Sequence, residues 1–110
     1  MLDTRIDPRT WPAFFDGLLD ETPDHASADV RVVRDGEVEG EEEEAWTRFL
    51  GATYEPRTDT LTVALDGLDH RITDLREVWA EHGPGGHVHR VVVLGPEGAR
   101  DEVTFRSWAP

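Results

Sequence analysis

The residues best suited to chemistry are histidines. His82, His87 and His89 flank Gly83-Pro84-Gly85-Gly86, a run of turn-forming residues. If Gly83–Gly86 is the whole loop, His82 and His87 are cross-strand neighbours, and His89, two residues on, shares their face. Three imidazoles so placed suit a divalent transition metal such as Zn²⁺, Ni²⁺ or Cu²⁺. A slip of one residue separates them and leaves only a polar hairpin tip. Register therefore decides between a metal site and no cofactor at all.

His70 poses a different question. The alternation of Leu61, Val63, Leu65, Leu68, His70 and Ile72 puts this imidazole on an apolar strand face, with Tyr54 on the same side. A buried histidine needs a hydrogen-bonding partner, and Tyr54, Asp69 or a backbone carbonyl are candidates. The functional alternative is a ligand-orienting or acid–base group at the mouth of a curled sheet. Trp79 alternates away from Val78 and Ala80, so it either marks a contact surface or seeds a second small core.

Other catalytic patterns are missing. Ser27 and Ser107 are the only serines, and neither sits in a nucleophile elbow. The Gly-Pro-Gly-Gly run has no following helix or lysine to cradle phosphate. Asp66–Asp69 is too short for a calcium loop. With 24 acidic residues in the chain, chance carboxylate pairs are guaranteed and carry no argument. The absence of cysteine excludes disulfides, thiolate ligands and thiol nucleophiles.

The net charge of −13, with 11 arginines as the only Lys/Arg residues, repels phosphate backbones and anionic lipid, so direct nucleic-acid or membrane binding is not expected. The N-terminus lacks a signal-peptide layout, and no apolar run approaches a membrane span. A cytoplasmic protein is expected. The run Glu41–Glu44 reads as a solvated edge or as an acidic strip that mimics nucleic acid toward a basic protein.

The elements that must position these residues start with a helix. After an extended lead-in over residues 1–9, Trp11, Phe14, Phe15, Leu18 and Leu19 form one apolar helical stripe. Thr10 is placed as its cap and Pro23 closes it, so a short amphipathic helix is expected within residues 10–22. Residues 28–108 read as strands. Asp35-Gly36 and Asp66-Gly67 signal two-residue hairpins, the second of type I′, and Pro56–Asp59 a four-residue loop. On that register Leu50, Ala52, Tyr54, Leu61, Val63, Leu65, Leu68, His70 and Ile72 share one face. The expected fold is α+β: a single domain over 1–110, with one helix packed on a curled antiparallel sheet of about six to seven strands in meander order.

Three stretches carry a resemblance. PRTWPAFFD, the core FLGATYEPRTDTLTVALDGLDHRI and the tail REVWAEHGPGGHVHRVVVLGPEG together resemble a bacterial family of domains of unknown function. Its pattern is a WPAFFD-type helix followed by GxxYxPxxDxLxVxLxGLDHxI. Residues 24–47 match least well, and the glutamate run departs from the pattern. The resemblance implies a small, β-rich, stand-alone protein and assigns no activity, cofactor or catalytic residue.

Three functions are therefore in view. The first is a non-enzymatic protein-interaction module that uses its sheet, homodimerisation included. The second is a small-molecule- or metal-binding protein, conceivably an enzyme, built on His70 and Tyr54 or on the His82–His89 hairpin. The third is an acidic decoy for a nucleic-acid-binding protein.

Overall fold

Asp7 opens the helical segment of the computed structural model, which describes residues 4–18, 29–34, 37–38, 47–83 and 88–106. Its Oδ1 accepts from Arg9 N–H at 2.9 Å, and its carbonyl accepts from Thr10 N–H and Thr10 Oγ1, both at 2.8 Å. A 3₁₀ turn over Pro8–Thr10 then runs into α1, Trp11–Asp16. Pro8 favours a first helical position, which moves the cap back to Asp7. Thr10 makes no side-chain capping bond. Gly17 N–H donates to the Ala13 carbonyl as α1 ends. Leu18 beyond it is again helical, and the last four positions of the expected 10–22 helix lie outside the described residues. Trp11, Phe15 and Leu18 are buried along the expected stripe.

The strands are β1 (Thr4–Arg5), β2 (Asp29–Arg34), β3 (Glu37–Val38), β4 (Thr47–Glu55) and β5 (Thr60–Leu65). They continue with β6 (Leu68–Thr73), β7 (Glu77–His82), β8 (Val88–Leu94) and β9 (Arg100–Arg106). All pairings are antiparallel. The lead-in is partly sheet, because Thr4 and Arg5 pair with Ala80 and Trp79.

The seven longer strands make two sheets rather than one continuous curl, and neither closes. One runs β7-β8-β9-β2 and the other β4-β5-β6; they join only where Asp29 and Val30 pair with Arg48 and Thr47. Hairpin order holds within β4-β5-β6 and β7-β8-β9. It breaks at β2, which pairs with β9 over six residue pairs from Asp29↔Arg106 to Arg34↔Asp101. Nothing in a local turn signal dictates a pairing so distant in sequence.

The central meander has the expected register. Glu55 faces Thr60, Tyr54 faces Leu61, Val63 faces His70 and Leu65 faces Leu68. Two details differ. Only Gly67 of the Asp66-Gly67 pair has positive φ, at 87°, so the turn is not type I′, which needs both. And Leu50 is not on the apolar face: the β4–β5 register shifts between Phe49 and Gly51. Gly51, at φ 141°, supplies the backbone freedom this β-bulge requires. The extra residue reverses the alternation, so Phe49 turns inward at 1% exposure and Leu50 stands out at 52%.

The core lies between the sheets and under α1, which packs on β4. Phe49 meets Phe105 of β9 edge to face, with ring centroids 5.1 Å apart. Trp11 meets Tyr54 in the same manner at 5.3 Å.

Phe49→Ala should lose about 3–5 kcal/mol of unfolding free energy in urea, whereas Leu50→Ala should stay within about 0.5 kcal/mol. Equal losses would contradict the bulge.

Candidate functional site

Alternation along β9 places Asp101, Val103 and Phe105 on the core face, all buried. Alternation along β6 does the same for His70 and Ile72. The sheets thus bring one histidine and one aspartate together inside an otherwise apolar layer. His70 Nε2 lies 3.6 Å from Asp101 Oδ1, with side-chain exposures of 5% and 9%. In so dry a setting a polar group is costly unless compensated, and each of the two helps to compensate the other.

Beside this pair is a cleft of about 280 Å³ lined by Arg71, Ile72, Thr73, Asp74, Pro96, Ala99 and Asp101. It runs along β6 and under the 3₁₀ turn Pro96–Gly98. His70 itself is not in the lining. The imidazole is oriented by the carboxylate but presented to the core, an arrangement that suits a positioning or structural role better than proton transfer to a ligand.

Tyr54 and His70 share a face, as expected, but have different partners. The Tyr54 hydroxyl donates to Asp59 Oδ1 at 2.7 Å. Asp59 holds a left-handed backbone, φ 52°, which aspartate tolerates better than most residues. Its carbonyl accepts from Asp74 N–H. Burial, then the Asp59 carboxylate, push the Tyr54 hydroxyl up to about 12. Tyr54 therefore ties the 56–59 loop to Trp11 and the helix side of the core.

Trp79 is half-buried. It stands directly opposite Val92, which is fully buried yet outside the main core, and its Nε1 donates to Glu77 Oε1 at 2.8 Å. A small outer-face cluster accounts for this tryptophan. Alongside it Arg90 donates to both Glu81 oxygens, at 3.0 and 3.1 Å, and to Glu102 at 3.0 Å, while Arg100 reaches Glu102 at 2.6 Å. Burial would raise the Glu102 carboxyl, but Arg100 and Arg90 outweigh it and hold it below its ordinary value.

The histidine hairpin departs from expectation. The β7–β8 register shifts between Glu81 and His82, so Glu81 pairs with Arg90 and His82 with Val88. His82 is therefore not opposite His87, which itself lies outside the described residues. The irregularity falls at His89, which is exposed like His82. His82 instead joins Val88 beside α1, lining a hollow of about 220 Å³ with Ala13, Phe14 and Gly17. Among the described residues no three His, Asp or Glu side chains could hold one metal ion. Glu41–Glu44 also lies outside the described residues.

Asp101 is the residue that sequence reading missed. The signal was present, since period-two counting back from Phe105 and Val103 puts an aspartate on the apolar face. Only the facing sheet supplies its partner.

The family scan matches residues 2–109 to a family of unknown function, DUF5335. No curated protein and no solved structure matches the chain. Among the described residues no helix is long and apolar enough to cross a membrane.

Two measurements test the buried polar groups. His70→Ala and Asp101→Ala should each lose about 3–5 kcal/mol, and His70→Leu with Asp101→Leu together should lose less than either; additive losses would mean the pair is not coupled. Tyr54 is the only tyrosine, so absorbance at alkaline pH reports it alone. Because its folded value is raised from 10.0 to about 12, the stability it contributes is complete below pH 10 and lost as pH rises through about 12. Asp59→Asn should move the titration midpoint back toward 10.0.

Proposed function

The chain belongs to the DUF5335 family, and we propose that it is a non-enzymatic protein-interaction module that docks its partner on the open edge of β6. The observation behind this reading is the contrast between the two ends of the strand path. The outer side of β7 is occupied by β1 and by Ile6 N–H, which donates to the Val78 carbonyl. At the other end, no strand among the described residues pairs with the outer side of the six-residue β6.

Backbone direction supports the same edge. Asp74 N–H donates to the Asp59 carbonyl, continuing the β5–β6 ladder. Strict alternation then aims the backbone of Leu68, His70 and Ile72 at β5 and that of Asp69, Arg71 and Thr73 outward. An outward row of donors and acceptors is what strand addition uses. The charged neighbours Asp69 and Arg71, both exposed, keep such an edge soluble and selective. A reducing cytoplasm suits a chain without cysteine.

A second reading takes the cleft beside His70 and Asp101 as a small-molecule site. Its volume of about 280 Å³ falls below the usual range of roughly 300–1,000 Å³ for ligand pockets, which ranks it behind the edge.

A photoreactive side chain introduced at Thr73 in cells should give a discrete protein adduct, and the same group at Asp16 on α1 should not. Arg71→Pro should abolish the adduct, since it removes an outward N–H without touching the β5 ladder. An adduct indifferent to Arg71→Pro, or equally abundant from Asp16, would count against the edge.

A further inference from the structure

We propose that the cleft between β6 and the turn Pro96–Gly98 binds a primary ammonium group on a short aliphatic stem, with Asp101 as its counter-ion. The inference takes up the cleft of the second reading and names its ligand. It does not require the edge of β6 to be open.

The lining divides by exposure. Its buried members are Asp101, at 6% exposure, and Ile72, at 5%. Pro96 and Ala99 are half-buried, whereas Arg71, Thr73 and Asp74 are exposed. The most buried polar group of the cleft is thus a carboxylate set among apolar side chains. His70 Nε2, 3.6 Å from Asp101 Oδ1, is not part of the lining, so Asp101 alone belongs both to the buried pair and to the cleft. Its contacts within the protein do not exhaust it, because a carboxylate offers roughly four lone-pair positions.

A carboxylate held out of water selects for a cation. Coulomb attraction strengthens as the local dielectric falls, and the net charge of −13 draws cations toward the protein. An anionic ligand would set like charge against Asp101 in the driest part of the cleft. The cationic side chain of the lining, Arg71, is exposed and already engaged within the protein, so the buried carboxylate decides the sign of the ligand.

The remaining lining narrows the class. An ammonium presents three donors, and Asp101, Thr73 and Asp74 supply acceptor side chains in the one cleft. Ile72, Pro96 and Ala99 offer carbon to a methylene stem, the combination that long amphipathic side chains and alkylamines match. A volume of about 280 Å³ suits a stem of a few carbons rather than a drug-sized ligand. The basic residues of this chain are 11 arginines and no lysine, so no side chain of a second copy carries this group. The ammonium belongs to a free amine or to a lysine of another protein.

Titration of the ¹⁵N-labelled chain with n-butylammonium, followed by amide shifts, tests this. The shifts should cluster at Ile72, Thr73, Ala99 and Asp101 and saturate with a Kd on the order of millimolar. n-Butanol, butyrate and tetramethylammonium, each lacking either the charge or the N–H donors, should not reproduce them. Asp101→Asn should weaken binding roughly tenfold or more, whereas Glu97→Gln, which removes an exposed charge from the neighbouring turn, should leave it unchanged. Because Asp101→Asn also alters the buried pair, Ala99→Leu provides a second variant: it fills the cleft, leaves His70 and Asp101 in place, and should abolish the shifts. Shifts spread over the acidic surface, equal shifts with tetramethylammonium, or binding indifferent to both variants overturns the proposal. The Thr73 cross-link, repeated in lysate, separates the sources: an adduct competed away by n-butylammonium makes the ammonium a lysine of the docked partner, and an adduct that persists makes it a free amine. Binding of n-butylammonium without any adduct keeps the cleft and overturns the docking edge; an adduct without n-butylammonium binding does the reverse.

Discussion

The contact between Phe49 and Phe105 is the constraint on which the two sheets depend. Their shared ladder is only two residue pairs long, too little backbone hydrogen bonding to fix one sheet against the other. The apolar layer between them does that, and Phe49 and Phe105 sit in it next to the seam. Phe49 reaches the layer because the bulge at Leu50 and Gly51 adds one residue to β4. Without the bulge, the alternation set by Ala52 and Tyr54 would put Leu50 inside and leave an aromatic ring in water. A larger ring fills more of the inter-sheet space, and edge-to-face packing adds to its burial. One irregular residue thus sets which side chains face the second sheet.

Strand β9 carries polar groups on both faces, and the two faces treat them differently. Inward, Asp101 meets His70 in a dry layer where each group is tied to the other. Outward, Glu102 joins Arg90, Glu81 and Arg100 in a chain of partly exposed ion pairs. Arg90, Glu81 and Glu102 are mostly buried and Arg90 grips both Glu81 oxygens, so water screens these pairs less than ordinary surface ones. The buried pair lies in a drier setting, where an uncompensated polar group is costly. It also links β6, at the end of one sheet, to a strand within the other. Strand β6 is thereby tied to the second sheet by a polar contact at its own centre.

Among the described residues the two ends of the strand path differ. One end of the strand path is closed by two residues of β1. The other carries alternating charge of both signs in a chain that is otherwise strongly negative. Held from behind by the His70–Asp101 contact, β6 is fixed to the second sheet as well as to β5.

The meander from β4 to β6 was legible in the sequence. Four-residue and two-residue loops leave only one register that keeps Leu61, Val63, Leu65, His70 and Ile72 together, so local turn chemistry and period two suffice. The helical stripe of Trp11, Phe15 and Leu18 was legible for the same reason, as was the resemblance of the chain to its family. The bulge at Leu50, the slip that sets His82 opposite Val88, the β2–β9 ladder and the meeting of His70 with Asp101 were not. Each is settled by competition for space in a shared core between segments far apart in the chain, and no local pattern records which competitor wins. Period and turn chemistry set most of the buried faces and the turns between neighbouring strands, whereas packing between distant segments set which strands meet across the core and so placed buried His70 beside Asp101.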